Sequence, residues 1–561
     1  MFQKKKKSTV TVVENKGSRR PAAEPRTVRN TAQDTIPYLE QYENGLYLID
    51  REKGLGRYAF IWHLGNTDYR LLKDSEKQKR LDAYSAVFNT LPPDIHYEEM
   101  YINLPVNEQA IREAILPPKE PEGLSAFETA WRKNQAGFAD QFASQMTRTE
   151  IYLVLSYRVR AKLDNALAIL LATGERIQSY LSEMGVTMEP VSIRQSLWLL
   201  HAIYNPYEED TFILPPDLYR KGTKIRDYIA PSAFRFKPNH TELGGYFNRI
   251  LFVNGYSSSL DDEFLSSLLD NRFKVTVAKH VDHVDKEIAF QQINARMRAL
   301  ESDRQTRNQR NARNGTNYIP FFLQSQIDAC REMMKDLQEA EELFRVGLYI
   351  SISAHSMEEL EDITKVIVGV CRQHLVSIKR ATMRQEEGLA SVLPLGQDQL
   401  KLAPYMMTSG LSMLLPFTFA SISQPKGLYY GKNTISGSPL ILDRKAAKNG
   451  NSFIVAKPGA GKSMHAKMEI NNVLFSTDRD QVIVIDPERE FVELCRAHGG
   501  TVIRLAPGTE NHINPLDAGR DNGRNEDFLL TKADMMQSLF AVFKGSRLTA
   551  AEKSLIDRTL R

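Results

Sequence analysis

A chain of 561 residues, at roughly 150 residues per domain, suggests three to four domains. Its 42% hydrophobic and 25% charged content is that of a globular protein, which excludes a wholly disordered, collagen-like or disulfide-scaffold chain. The net charge of +4 is uneven, because residues 1–30 carry nine Lys/Arg against Glu14 and Glu24, which leaves −3 for the rest. A slightly acidic body argues against a broad nucleic-acid-binding surface. The three cysteines, Cys330, Cys371 and Cys495, are too far apart for a zinc pattern or a disulfide framework. Free thiols fit a reducing compartment, read here as the cytoplasm.

Residues 1–35 are expected to form a flexible basic tail, rich in Lys, Arg, Ser and Pro. A polybasic contact with a membrane is the functional reading, and a solvated tail is the plainer one. The apolar run Val10–Val13 is too short for a secretory signal. With so few large apolar residues the tail can bury little area to offset the cost of ordering it. Deleting residues 1–30 is therefore expected to leave the melting temperature unchanged, and a large drop in a thermal scan would contradict this.

Two strand–turn–helix units follow. Tyr152–Arg158 reads as a strand, followed by a helix with Leu163, Leu167, Leu170, Ile177 and Leu181 on its apolar face. Gly347–Ser353 reads as a second strand, before a helix opened by Ser356 with Glu359 at capping-box spacing. That helix carries Leu360, Ile363, Val366, Ile367 and Val370 on one stripe. An N-terminal α/β lobe over residues 36–240 and a second over 241–430 are expected, possible relatives of each other but too unlike in sequence to prove a repeat.

Three segments invite sharper readings. His280, Asp282, His283 and Asp285 crowd the exit of an expected strand, Lys274–Ala278, and are metal-ligand types. Alternation in a strand would send His280 and Asp282 one way and His283 the other, and a polar strand exit explains them equally well. Arg296–Arg313 is dense in Arg, Gln and Asn but lacks aromatic residues for base stacking, so a solvated helix is expected. Between Lys401 and Lys426 no residue is charged, yet Pro404, Gly410 and Pro416 interrupt the run, which favours buried strand and loop over a membrane span.

The strongest chemical signal is Asn451–Ser463. A short apolar strand, Phe453–Val455, runs into Ala456-Lys457-Pro458-Gly459-Ala460-Gly461-Lys462-Ser463 and then a helix from Met464. Strand, Gly-rich loop, Gly-Lys-Ser and helix together are the context of a phosphate-binding P-loop. Glycines at 459 and 461 let backbone N–H groups turn toward phosphate, and the helix N-terminus adds its positive dipole end. Lys462 would reach the β/γ-phosphates of ATP, and the Ser463 hydroxyl would ligate Mg²⁺. Ala456 stands where the pattern has its first glycine, a mild departure at the start of the loop.

Gln481–Asp486 reads as a buried parallel strand ending in carboxylates, with Asp486 and Glu490 as candidate catalytic residues beside the γ-phosphate or its water. Asp486 before Pro487 is also a helix N-cap, with a helix expected over Glu490–Ala497, and both readings can hold at once. A third strand, Thr501–Leu505, leads to Asn511–Asp517. Residues 431–561 are thus expected to be part of a RecA-like P-loop NTPase sheet, following a mixed α/β N-terminal region.

These residues resemble a known family. The P-loop preceded by Pro439–Arg444, the Asp486-Pro-x-x-Glu490 strand end and Ile513-Asn-Pro-Leu-Asp517 look like the CagE/TrbE/VirB family of conjugative type IV secretion ATPases, in the HerA/FtsK superfamily. Arg384–Gly396 and Ile225–Pro231 read like that family's N-terminal region, and the form is nearest to Gram-positive mobile-element members. The resemblance covers about residues 36–561. It implies an N-terminal region that docks on other channel subunits, and a motor that acts as a hexamer or dimer. That motor would work at the cytoplasmic face of the cell membrane and couple ATP hydrolysis to channel assembly and DNA–protein transfer. The chain departs from the family's pattern after Asp517. No second apolar strand ending in Asp-Glu follows, Asp534 and Asp557 fall in helical surroundings, and the sequence stops mid-helix at Arg561. Two other functions are weighed: a channel scaffold that binds nucleotide without turnover, and a HerA/FtsK-type translocase acting directly on duplex DNA.

Overall fold

The computed structural model describes residues 31–560, except 68, 70–71, 106–111, 113–114, 117–124, 144–146, 161–162, 217, 219–223, 258–259, 270–272, 314–320, 340, 418–423, 425–426, 433–438, 448, 477–479, 512–513 and 518–525. Residues 1–30 of the basic tail and Ile513 lie outside the described residues. The chain is mixed α/β and divides into two units, one of residues 1–124 and 128–451, the other of 125–127 and 452–561.

The first unit is built on one 13-stranded antiparallel sheet. Its strands are β1 (Glu40–Gln41), β2 (Tyr47–Glu52), β3 (Leu55–Leu64), β4 (Ile95–Pro105), β5 (Thr147–Val159), β6 (Met188–Pro190), β7 (Phe234–Phe236), β8 (Thr241–Leu243), β9 (Tyr246–Gly255), β10 (Val275–Val284), β11 (Leu343–Ala354), β12 (Ser377–Arg380) and β13 (Tyr405–Met407). The order is β1-β2-β3-β5-β4-β10-β11-β9-β8-β7, with β6 on β3, β12 on β9 and β13 on β11.

The two halves of this sheet share one topology. β5 lies between β3 and β4, and a helix, Leu163–Glu183, leads from it to β6, which pairs with β3. In the same way β11 lies between β9 and β10, and the helix Met357–Gln373 leads from it to β12, which pairs with β9. The β4–β10 ladder joins the halves, so both lobes share a single sheet.

Each strand uses its period of two to feed a separate core on each face. One core sets Tyr97, Leu153, Val277 and Ile350 against Leu81 and Phe88, Leu170 and Ile177, and Leu360 and Ile363 of three helices. The other sets Met100, Val154, Ala278 and Tyr349 against Leu197 and Leu200 of the helix Ile193–Tyr204 and against Leu389, Val392, Leu393 and Leu395. Burial on both faces explains why these strands read as nearly continuous apolar runs. At the N-cap of the helix Met357–Gln373, Ser356 accepts from the Glu359 N–H at 3.1 Å. Glu359 in turn accepts from the His355 N–H at 2.8 Å, one residue earlier than a capping box requires.

One expectation changes in detail. The strand expected to end at Ala278 continues to Val284, so His280, Asp282 and His283 lie inside the sheet rather than at its exit. Among the described residues, no group of three or more His, Cys, Asp or Glu is placed to hold a metal ion. The uncharged stretch after Lys401 forms β13 and the short helix Thr408–Ser412, and it buries Leu411, Leu414, Leu415 and Phe417 in the first core. No described helix is long and apolar enough to cross a membrane.

In the second unit the helices Lys462–Ser476, Val492–Ala497, Glu526–Lys544 and Ala550–Leu560 form, and Asp534 and Asp557 lie on the last two. The parallel ladder expected of Phe453–Val455, Gln481–Asp486 and Thr501–Leu505 does not form; these segments carry no strand pairing. Their exposure still alternates: Ile454, Val482 and Val484 are 37%, 36% and 43% exposed, while Phe453, Val455, Ile483 and Ile485 are 95%, 90%, 91% and 93% exposed. One side is half covered and the other is bare. A parallel sheet is stable when both faces are covered, and among the described residues the second face has no cover.

Candidate phosphate-binding site

The loop at residues 456–463 takes its shape from two glycines. Lys457–Ala460 closes a turn in which the Ala460 N–H donates to the Lys457 carbonyl at 3.1 Å. Pro458 occupies the second position and Gly459 the third with φ +79°, the residue order of a type II turn. Gly461 follows with φ +92°, and the helix Lys462–Ser476 begins at the next residue, two earlier than expected. A Cβ at either glycine would meet nothing within 4 Å, so the backbone angle and not crowding requires glycine.

The loop is exposed through Lys462, and Ser463 is half-buried. The His465 N–H donates to the Gly461 carbonyl at 2.9 Å, closing the first helical turn. The N–H groups of Lys462, Ser463 and Met464 precede that bond and have no partner within the helix. Three free donors, the positive end of the helix dipole, and the Lys462 ammonium, which has no ion-pair partner among the described residues, meet at one helix start. That donor set fits a polyphosphate, and the Ser463 hydroxyl offers an oxygen ligand suited to Mg²⁺.

Asp486 is committed to its own loop. Its carboxylate accepts from the Glu490 N–H at 3.1 Å and from the Phe491 N–H at 2.8 Å. The Phe491 N–H is the main cause that holds this carboxyl below the usual aspartate range. The carboxylate closes the turn ahead of a helix that starts at Val492 rather than Glu490 and whose N-cap is Phe491, so Asp486 closes the preceding turn and is not itself that helix's N-cap. Glu490 is exposed and gives its backbone N–H to the Asp486 carboxylate. Arg489 adopts φ +62°, a left-handed conformation that costs a non-glycine residue energy.

Lys467 is a residue the sequence did not single out. Its ammonium lies 5.5 Å from the Phe491 ring centroid, and its charge helps to lower Asp486. The P-loop helix and the Asp486 turn therefore pack together. His498 also ties this region, through a 2.7 Å hydrogen bond between its Nε2 and the Asn471 Oδ1. A lysine five residues into a helix carries no motif signal of its own; only the fold shows that it faces Phe491. Beyond the turn, Asn511 accepts from the Arg504 N–H at 3.0 Å and Asp517 donates its N–H to the Asn514 carbonyl at 3.2 Å, so this stretch holds its own loop. No protein-family model matches the chain, and no curated protein matches it.

Proposed function

We propose that this chain is the ATP-binding motor subunit of a conjugative type IV secretion system, peripheral to the cytoplasmic face of the membrane and working as a homo-oligomer with other channel subunits. The observation that carries the nucleotide part is the loop itself: two left-handed glycines, three free N–H groups and Lys462 at the start of one helix. In this reading the loop N–H groups bind the phosphates, Lys462 neutralises their charge, and Ser463 holds Mg²⁺. The bound metal would draw charge from the β- and γ-phosphate oxygens. The DNA–protein cargo is engaged indirectly, since the body of the chain is slightly acidic. Titration with a fluorescent ATP analogue, for the wild type and Lys462→Ala, tests the site.

The second reading, a channel scaffold that binds nucleotide without turning it over, draws on Asp486. Hydrolysis needs a metal-holding aspartate, a group that orients water, and a positive charge supplied in trans. The Asp486 carboxylate is held in its own turn by two backbone N–H groups, and no residue of this chain is assigned to orient the water or to supply the trans charge. Purified residues 1–561 are therefore expected to hydrolyse ATP at close to the background rate in a phosphate-release assay. Robust turnover that Lys462→Ala abolishes would show that Asp486 and Glu490 suffice.

A further inference from the structure

Each half of the sheet in the first unit is one β-α-β-β-α-β repeat. The first runs β3, the helix Asp74–Asn89, β4, β5, the helix Leu163–Glu183 and β6, in the spatial order β6-β3-β5-β4. The second runs β9, the helix Phe264–Leu269, β10, β11, the helix Met357–Gln373 and β12, in the order β12-β9-β11-β10. The connections from β4 to β5 and from β10 to β11 carry inserted helices, among them Ala126–Ala143 in the first and Lys286–Arg313 and Phe321–Glu339 in the second.

The correspondence holds residue by residue. Phe60 and Leu251 are each sixth in β3 and β9, Tyr97 and Val277 third in β4 and β10, and Leu155 and Ile350 fifth from the end of β5 and β11. In the first repeat Leu155 pairs with both Phe60 and Tyr97, and in the second Ile350 pairs with both Leu251 and Val277. All six face the first core. Ala59 and Ile250, and Val154 and Tyr349, match in the same way on the second-core face. Shared ladders and shared faces reveal the repeat that the two sequences are too divergent to prove.

Glu99 and Lys279 are each fifth in their strands, and they pair with each other. A position that pairs with its own counterpart lies on a two-fold axis. The neighbouring pairs obey that symmetry: exchanging the repeats turns Glu98–His280 into Ala278–Met100 and Tyr97–Val281 into Val277–Tyr101, all of them present in the ladder. The β4–β10 seam is therefore a dimer-like interface inside one chain. A buried charged row, Glu98 and Glu99 beside Lys279 and His280, crosses its centre.

Symmetry makes this axis the place where like and unlike repeats are told apart. Were β4 to pair with β4 of a second copy, two Glu99 carboxylates would meet in a site closed to water, and β10 with β10 would bring two Lys279 ammonium groups together. Among the described residues their hydrogen-bond partners offer no second counter-charge: Glu99 accepts from the hydroxyls of Tyr84, Tyr97 and Tyr101, and Lys279 donates to the Leu414 carbonyl. A slip of one residue would send one strand's side chains to the other face. A slip of two keeps the face but sets each Glu99 opposite a tyrosine and each Lys279 opposite a valine, still without a counter-charge. A buried ion pair adds little stability over an apolar pair of similar volume, whereas its use in choosing register and partner is well attested.

We propose that the Glu99–Lys279 pair is a partner selector: it admits β4 against β10 and rejects either strand against its like, so that the seam surface of each repeat fits the opposite repeat, from its own chain or, when its own is barred, from a second copy. Nothing in this selection draws on the nucleotide site. Opposite repeats of two copies can reach each other because the chain between Tyr204 and Phe234 is long. Fully extended it would span roughly 100 Å, against about 25 Å for five neighbouring strands.

Charge reversal on the full chain tests the selector. Glu99→Lys and Lys279→Glu each put like charges on the axis, and each should lower the folding constant at least about 100-fold in urea unfolding. Both reversals in one chain restore opposite charges and should recover at least about tenfold of that loss. Two groups held only by their own surroundings, the tyrosines on one side and Leu414 on the other, would show no such recovery. The two single variants are then co-expressed with different affinity tags. Within each chain the axis carries like charges, but β4 of either chain and β10 of the other carry opposite ones, so the repeats should exchange. Two-step purification and native mass spectrometry should find mixed dimers at least about tenfold more abundant than in a wild-type pair with the same tags. Association through any other surface would raise both pairs alike, which separates the selector from a homo-oligomer of other origin. A single variant as stable as the wild type overturns the proposal, as does a double variant no more stable than the singles. A co-expressed pair with no excess of mixed dimer also overturns it, whether its chains stay monomeric or insoluble. Failure of a single variant to fold alone is the extreme of its expected loss, and the double variant and the co-expressed pair then decide.

Discussion

Lys279→Met is expected to cost about 3–5 kcal/mol of folding free energy, the range for breaking a buried ion pair by removing one partner. Lys279 on β10 and Glu99 on β4 are both fully buried, with the ammonium 2.5 Å from the carboxylate. The carboxylate also accepts from the hydroxyls of Tyr84, Tyr97 and Tyr101, and Lys279 donates to the Leu414 carbonyl at 3.1 Å. The Lys279 ammonium lies 4.9 Å from the Tyr84 ring centroid and 5.5 Å from that of Phe88. The methionine fills similar space but leaves a carboxylate in the first core with no counter-charge and a carbonyl without its donor.

Burial lowers the Lys279 ammonium more than the Glu99 charge raises it, so the intact pair is not itself a source of large net stability. Most of the cost of Lys279→Met is therefore the cost of stranding Glu99. Adding Glu99→Gln should restore much of the loss, because the amide oxygen still accepts from the tyrosines and no charge remains. Glu99→Leu should not, since it leaves three tyrosine hydroxyls buried and unpaired, at about 1–3 kcal/mol each. Urea unfolding followed by tryptophan fluorescence reports on this unit through Trp62 and Trp198. A single-variant loss below about 1 kcal/mol would contradict the assignment. So would a Glu99→Gln double variant no more stable than the single one.

The same sheet shows why parts of the chain were legible in sequence and others were not. Tyr152–Arg158 and Gly347–Ser353 announce themselves because both faces of an inner strand are buried, and the Ser356–Glu359 cap is a local signal four residues long. The P-loop is local too: two glycines, a lysine and a serine within five positions define it whatever the rest of the chain does. The buried charged row is the reverse case. His280, Asp282, His283 and Asp285 read as a polar strand exit, and Lys279 is not singled out, since alternation alone cannot tell water from a partner strand. Partners such as Glu99, Glu98 and His96 lie 180 or more residues away, and only the β4–β10 ladder brings them together. The apolar runs at 453–455, 482–485 and 501–505 were read as strands, and their alternating exposure keeps that pattern, but a ladder depends on neighbours and cover that a single segment does not encode.

Lys462→Ala is expected to weaken binding of Mg·ATP by at least about tenfold, roughly 1.4 kcal/mol, while leaving both units folded. A buried or paired lysine would carry structural cost on removal, but Lys462 is exposed and has no ion-pair partner among the described residues, so truncation leaves nothing stranded. Its effect should therefore fall on the ligand. The glycines still aim the loop N–H groups, so some phosphate affinity should survive the loss of the ammonium. Gly461→Ala attacks the other half of the site: it keeps the charge but forces an alanine to φ +92°, and so should misdirect the donors. Fluorescent-nucleotide titration of the wild type and both variants, with circular dichroism to verify folding, separates charge from backbone geometry. Added salt should weaken the wild type more than Lys462→Ala, because one fewer charge contact remains to be screened. Equal affinities for wild type and Lys462→Ala would remove the phosphate site, and with it the motor reading that depends on nucleotide.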